Sequence, residues 1–287
     1  MANSSKFTPL ATPRVIELED YASSIGESAW EGDSVSLEKI LDQQEIELYC
    51  DDFGDDFEGL IELTDDLFII YLNTTLGNNP DTPRGRFSIA HELGHFFIDA
   101  HRLAITQKRM PSLGDYSNED LEIEREADLF ASRLLLPKNQ FARAIKKVDK
   151  GLKGICELAK KFRVSVKCAA LRYLSEEPMP CSLIFRSNDG SVKWKLFSKQ
   201  MWNAGFRSII PEPVKGGATD ICLNGKDSEW TSAPASYLFK LPDNCHANIV
   251  FIEETVKLGD YGILTLLRSQ EPNLQSMADI YDKRWGR

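Results

Sequence analysis

The spacing of apolar and polar positions predicts mainly helices in the first part of the chain. Val15, Leu18 and Tyr21 recur on one helical face. Ser36 is a capping residue, and Thr82 is a second capping residue that is followed by proline at the first helical position. These signals predict helices over 13–22, 36–41, from 82 onwards, 118–137, 139–148 and 165–174.

Strand patterns are few in this part and dominate the remainder of the chain. The run Leu-Phe-Ile-Ile-Tyr-Leu at 67–72 is aromatic and β-branched, which predicts a buried strand. A dipeptide, Asp189-Gly190, separates two apolar runs and predicts a hairpin. The strands expected from such runs are 45–49, 67–72, 182–185, 192–196, 236–241, 247–252 and 262–267.

This order of elements predicts an α+β protein with two domains. A chain of 287 residues is about twice the usual size of one domain. Near Pro178 the predicted elements change from helices to strands, and we expect the domain boundary there. We therefore predict a mainly helical domain with a small sheet over 1–177 and a β-rich sensor or partner-binding domain over 178–287.

Charge and composition narrow the class of function. Acidic residues outnumber basic ones by 44 to 34, and the net charge of -10 argues against tight direct binding of DNA or of an anionic membrane. No apolar run approaches the roughly 20 residues of a membrane span. The six cysteines form no CxxC pair, and together these features favour a cytoplasmic protein.

Three of the four histidines fall within eleven residues, and two of them form an H-E-x-x-H motif. At about 100° per residue, His91 and His95 share one face of a helix, one turn apart, so both imidazoles can reach one ion. Glu92 projects beside that ion, where it can accept a proton from water. Zinc is the metal that this pattern favours.

A catalytic zinc ion needs a third protein ligand, and the sequence offers two main candidates. His101 has the spacing of a third histidine ligand, but Ile98 stands where a chain reversal would need glycine, so a continuous helix would carry His101 away from the metal. Glu124 and Asp128 share one face of a later helix, so one can bind metal while the other orients a ligand histidine. Glu124 is the preferred ligand, since Glu122 and Glu126 lie on other faces of the helix. Glu126 is expected in solvent or at the edge of the apolar stripe of this helix, which consists of Ile123, Ala127, Phe130 and Leu134.

Two blocks of the sequence, one around the H-E-x-x-H motif and one beginning at Glu124, resemble the ImmA/IrrE family of metallo-endopeptidases; the resemblance covers residues 10–175. The first block is Arg-Phe-Ser-Ile-Ala-His-Glu-Leu-Gly-His-Phe at 86–96, and the second runs from Glu124 through Ala127 and Asp128 to Pro137. The resemblance implies a zincin-like domain of bacteria or their mobile elements that cleaves a helix-turn-helix repressor and so regulates transcription. In one branch of the family a GAF-like sensor follows the peptidase, and the β-rich end of this chain is compatible with one.

Peptide hydrolysis with Zn²⁺ on His91, His95 and Glu124 and with Glu92 as general base fits this pattern. The strand 67–72 is expected to pair with an extended substrate. The group that stabilises the oxyanion stays open among Tyr71, Tyr116, Arg84 and His101. The alternatives are an aminopeptidase or a non-catalytic, zinc-containing adaptor or ligand sensor, although no fourth protein ligand for a closed site is evident.

Overall fold

A computed structural model describes residues 11–54, 57–75, 77–107, 118–176, 180–241 and 249–270, with the side chains of 118–120 left aside. The chain divides into two compact units. The first unit comprises Met1–Lys147 and Leu158–Cys168, and the second comprises Val148–Glu157 and Ala169–Arg287. The fold is α+β, as predicted, whereas the domain boundary near Pro178 stays a prediction.

The first unit is built around helices whose start signals were visible in the sequence. Thr82 accepts a hydrogen bond from the backbone N–H of Gly85 at 3.1 Å, and Ser36 accepts one from Lys39 at 3.3 Å. The helices are α1 (Thr12–Ser28), α2 (Leu37–Gln43), α3 (Pro83–Phe97), α4 (Asp99–Thr106), α5 (Asn118–Leu135), α6 (Lys138–Ala144), α7 (Leu152–Phe162) and α8 (Val166–Glu176). Helices α7 and α8 are each divided between the units.

Close packing of α3 against α5 determines the layout of this unit. A Cβ on Gly94 would lie 3.2 Å from the Cα of Ala127, so glycine lets the two backbones approach. Apolar residues of both helices meet here, and Ile89, Leu93 and Phe130 are buried. This contact brings the acidic face of α5 towards the histidine face of α3.

A three-stranded sheet completes the first unit, beside a short pair formed by β1 (Trp30–Glu31) and β2 (Ser34–Val35). Its strands are β3 (Glu47–Asp51), β4 (Gly59–Thr64) and β5 (Leu67–Asn73), in the order β3-β5-β4. β5 confirms the strand expected at 67–72. The expectation that this strand pairs with a substrate is wrong, because β3 and β4 occupy both of its edges.

Two strands of the first unit differ from the sequence prediction. The strand expected at 45–49 begins at Glu47, because Glu45 has a φ of 54° in the left-handed region. The strand β4 was not predicted, since its sequence, Gly-Leu-Ile-Glu-Leu-Thr, does not alternate strictly between apolar and polar positions. Its hairpin to β5 turns through Asp65 and Asp66, which both have positive φ.

The second unit contains a five-stranded antiparallel sheet in the order β7-β6-β10-β9-β8. Gly190 has a φ of 86° in the turn of the predicted β6–β7 hairpin. The strands are β6 (Cys181–Arg186), β7 (Val192–Phe197), β8 (Ser228–Pro234), β9 (Val250–Lys257) and β10 (Ile263–Ser269), and three helices accompany them: α9 (Lys199–Asn203), α10 (Ala218–Leu223) and α11 (Ala235–Leu238).

The strand expected at 236–241 is wrong, because this segment contains α11. Pro234 is the residue before the helix and lacks the N–H that would continue β8. The backbone N–H of Phe239 donates to the carbonyl of Ala235 at 2.8 Å, which closes the turn. Only Phe239 keeps an extended pairing, as a bridge to Ile209.

The described cysteines and helices complete the picture of the fold. Cys50, Cys156 and Cys222 are free thiols, and Cys168, Cys181 and Cys222 are buried. Cys245 lies outside the described residues. Within those residues, every helix is too short or too polar to cross a lipid bilayer.

Candidate metal centre

Three side chains on α3 and α5 converge on one point. The Nε2 atoms of His91 and His95 lie 3.1 Å apart, as the one-turn spacing on α3 predicts. The Glu124 carboxylate places Oε2 3.1 Å from His91 Nε2 and Oε1 3.7 Å from His95 Nε2. The structure therefore brings together the two histidines of the motif and the preferred third residue.

The donor set fits zinc in both chemistry and spacing. Two imidazole nitrogens and one carboxylate oxygen form a ligand set found at catalytic zinc sites, and metal–ligand bonds of about 2.0–2.2 Å put the ligand atoms roughly 3.3–3.5 Å apart in a tetrahedron. The observed separations of 3.1, 3.1 and 3.7 Å bracket that range. These three residues could hold the ion with small adjustments.

Asp128 supports the centre from one turn further along α5. Its Oδ1 lies 3.0 Å from His91 Nδ1, while His91 Nε2 faces Glu124. Burial lowers the pKa of His91, but hydrogen bonds to Asp128 and Glu124 outweigh it and raise that pKa to about 10. The carboxylates around His91 thus favour positive charge at the position where a cation would bind.

Glu92 is buried under the edge of the sheet rather than exposed beside the histidines. The backbone N–H of Ile61 on β4 hydrogen-bonds to its carboxylate, and a Cβ on Gly59 would lie only 2.9 Å from Oε1. Burial raises the pKa of Glu92 to about 7, with a further rise from Glu124 and opposing effects of His91 and Ile61. Such a carboxylate can both accept and release a proton near neutral pH.

Gly59 and Ile61 are site residues that the sequence analysis missed. They belong to β4, which the apolar pattern did not reveal, and their contribution comes from the backbone, which no side-chain motif reports. A turn signal at Asp65-Asp66 followed by the strong strand 67–72 was the available hint of a hairpin. That hint would have placed a partner strand over about 59–64.

The expectation that His101 points away from the centre is wrong. The helix ends at Phe97, and Ile98 turns the chain with an extended conformation, φ -79° and ψ 110°, that any β-branched residue tolerates. α4 then returns His101 to within 5.1 Å of His95, measured between ring centroids. His101 is nevertheless outside the converging donor group found among the described residues.

Glu126 is also placed differently from the expectation of solvent or the edge of the stripe. It is buried, and Arg14 donates to its two oxygens at 2.7 and 2.5 Å. His101 Nε2 lies 3.4 Å from Oε2 of the same carboxylate. Burial lowers the pKa of His101, and Glu126 opposes this effect. The group is a partly buried ion pair with a histidine beside it.

The candidates for stabilising the oxyanion are not gathered at the centre. Tyr71 stacks on Tyr49 with ring centroids 6.0 Å apart, on the face of the sheet opposite to buried Ile70. Arg84 forms an ion pair with Glu58. Tyr116 lies outside the described residues. His101 lies close to the centre, with its ring centroid 5.1 Å from that of His95.

Comparisons with known proteins agree with the geometry of this site. Residues 67–174, which include every residue of the converging group, match the peptidase M78 model, described as the IrrE N-terminal-like domain. This match supports the resemblance of residues 67–174 to the ImmA/IrrE family.

Solved structures add a likeness of fold. A Mycobacterium tuberculosis transcriptional regulator is similar with a TM-score of 0.57 and 17% identity, over 88% of this chain and 76% of that chain. A search of curated proteins found no match.

Proposed function

We propose that this protein is a zinc-dependent endopeptidase in which His91, His95 and Glu124 hold the metal. The observation that carries the proposal is the convergence of these three donors next to buried Glu92. Zinc bound there would activate water and polarise a peptide carbonyl. The family match supports the peptidase class, and the donor chemistry supports zinc.

The protein's own residues would transfer the proton and hold the reacting side chains in position. Glu92 accepts a proton from the attacking water at its carboxylate and delivers it to the leaving amine, which a pKa near 7 permits in both directions. The N–H of Ile61 restrains that carboxylate. Asp128 accepts from Nδ1 of His91 and keeps its Nε2 directed at the metal.

The strand that receives the substrate is β4 in this proposal. β4 is an edge of the sheet, it pairs with β5 on its other side, and it already contacts Glu92 through Gly59 and Ile61. An extended peptide added to this edge would bring its backbone towards the centre. The outer edge of β4, which pairs with no other strand among the described residues, thus replaces the strand 67–72 in the role first expected of it.

The proposed substrate is a helix-turn-helix repressor, cleaved in the cytoplasm at one or a few sites. The family resemblance supports this choice, and the acidic chain suits a basic DNA-binding protein better than DNA itself. We accordingly expect no nanomolar binding of duplex DNA by this chain alone. The second unit would act in sensing or partner binding, since its described residues contain no comparable donor group.

The experiment that tests the proposal is Glu92→Gln, assayed for zinc content and cleavage on the same preparation. The amide cannot accept the proton, so we expect cleavage to fall by at least about a hundredfold while one zinc ion stays bound. Full cleavage by Glu92→Gln would exclude the mechanism. No cleavage by the unaltered zinc-loaded chain, tested on internal and terminal bonds of repressor proteins, would favour the adaptor.

A further inference from the structure

The two edges of the small sheet face different surroundings. β4 borders Glu92, whereas β3 lies two strand spacings away, roughly 10 Å across the sheet. Among the described residues β3 pairs with β5 alone, in parallel register. Its outer edge therefore presents backbone N–H and C=O groups that another extended chain can pair with.

An acidic groove runs beside that free edge. It is lined by residues of α2, β3 and their connection, and it contains three carboxylates with no lysine or arginine: Glu38, Leu41, Asp42, Ile46, Glu47, Leu48 and Tyr49. The neighbouring cation on α2, Lys39, is held by Glu31 at 3.6 Å. In the part of the chain that the structure describes, neither Glu38 nor Asp42 has a cationic partner.

An aromatic surface adjoins the groove. Tyr49 is 52% exposed, and its ring stacks on Tyr71. A hydrogen bond to Glu47 raises the pKa of Tyr49, so a carboxylate and a ring face lie side by side. Guanidinium and ammonium groups bind such pairs through ion pairing and cation–π contact.

We propose that the β3 edge and this acidic groove form a docking surface for a basic, extended segment of a protein partner, which adds as a strand beside β3. The inference rests on the proposed function for the identity of the partner, the basic DNA-binding substrate. Docking at β3 leaves the β4 edge free for the segment to be cleaved. Recognition would thus use both edges of one sheet.

The negative charge of the groove favours a basic peptide over a second copy of the chain or a nucleic acid. A second copy of the chain would place Glu47 and Asp51 of two β3 strands against each other, which is unfavourable for like charges at paired positions. Nucleic acid is repelled by the same carboxylates. A basic peptide gains from both the charges and the free backbone edge.

The charge requirement is tested by fluorescence anisotropy with a labelled peptide that alternates arginine and threonine. The full zinc-loaded chain carrying Glu92→Gln is used, so that binding is measured without cleavage. Neutralising the groove with Glu38→Gln, Asp42→Asn and Glu47→Gln should weaken binding about tenfold, the sum of three exposed ion pairs. The matched control, Asp65→Asn, Asp66→Asn and Asp260→Asn, removes the same charge elsewhere and should change binding less than about twofold.

The strand requirement is tested with two N-methylated versions of that peptide. Methyl groups on one alternating set of amides remove the hydrogen bonds to β3 and should abolish binding, whereas methyl groups on the other set point away and should leave binding unchanged.

Equal binding of both versions, or equal loss in the groove and control variants, overturns the proposal. Sedimentation showing a dimer of the unaltered chain that the groove variant strengthens would assign the edge to a second copy instead. Because no outcome depends on hydrolysis, failure here and failure of the peptidase assay are distinguishable.

Discussion

Two histidine–glutamate groups lie side by side in the first unit, and only one is arranged to hold a metal. At the first, Glu124 approaches the Nε2 atoms of His91 and His95. At the second, Glu126 lies two residues further along α5 and meets His101 at 3.4 Å. The two glutamates share a helix and a residue type, so the difference lies in their neighbours.

The neighbours differ in charge. Both oxygens of Glu126 accept from Arg14, and its negative charge is thereby compensated inside the protein. In the described part of the chain, the ion-pair partners of Glu124 are the two histidines of the motif. A carboxylate left without a lysine or arginine beside two imidazoles is suited to bind a cation, whereas one neutralised by arginine serves to join helices.

The largest expected effect is on the first group. Glu124→Ala should weaken zinc binding by on the order of a hundredfold, because it removes a direct ligand. Competition with a fluorescent zinc chelator measures the change. Glu126→Gln is the matched control on the same helix and should alter zinc affinity less than about threefold. Undiminished affinity in Glu124→Ala would remove this residue from the proposed ligand set.

The second group should show its effect in stability instead. Arg14→Met leaves Glu126 buried without its arginine, and we expect the free energy of unfolding to fall by about 2 kcal/mol, less than for a fully buried pair because Arg14 is partly exposed. Urea unfolding of the metal-free chain measures this. Adding Glu126→Gln to Arg14→Met should recover part of the loss. A change below about 0.5 kcal/mol would show that the pair contributes no more than an exposed one.

Asp128 should have an intermediate effect on the first group. Asp128→Asn replaces the carboxylate that accepts from His91 Nδ1, so we expect about tenfold weaker zinc binding with the ligands intact. Glu122→Gln removes one exposed charge from the same helix and serves as the control, with an expected change below about twofold. Equal effects of the two variants would reduce Asp128 to a contributor of general negative charge.

The smallest expected effect on zinc belongs to His101. His101→Ala should change zinc affinity by less than about threefold relative to the unaltered chain, because His101 contacts the ring of His95 without joining the converging donors. The zinc affinity of His95→Ala is measured in the same assay. Because that variant lacks a ligand, its loss of affinity shows how large the effect of removing a ligand is. A loss in His101→Ala that approaches that of His95→Ala would place the two groups in one metal site.

The sequence predicted the parts of the site that depend on local periodicity. His91 and His95 fall on one face because they are four residues apart on a helix whose start is fixed by Thr82. Glu124 and Asp128 share a face for the same reason. Residues that act through long-range contacts were missed or misplaced: Gly59 was unseen, and His101 was assigned to the wrong side of the centre.

The sequence by itself determined the chemistry of this protein: the donor types, their helical spacing, the acidic balance and the α+β order of elements. Only the tertiary structure decided which carboxylate remains available to a metal, since that depends on Arg14, which is 112 residues away from Glu126. It also decided that β4 is the outer strand beside Glu92 among the described residues, because sheet order is not contained in the pattern of one strand. The physical reason is that periodicity fixes directions within one element, whereas charge compensation and strand pairing are set by contacts between elements.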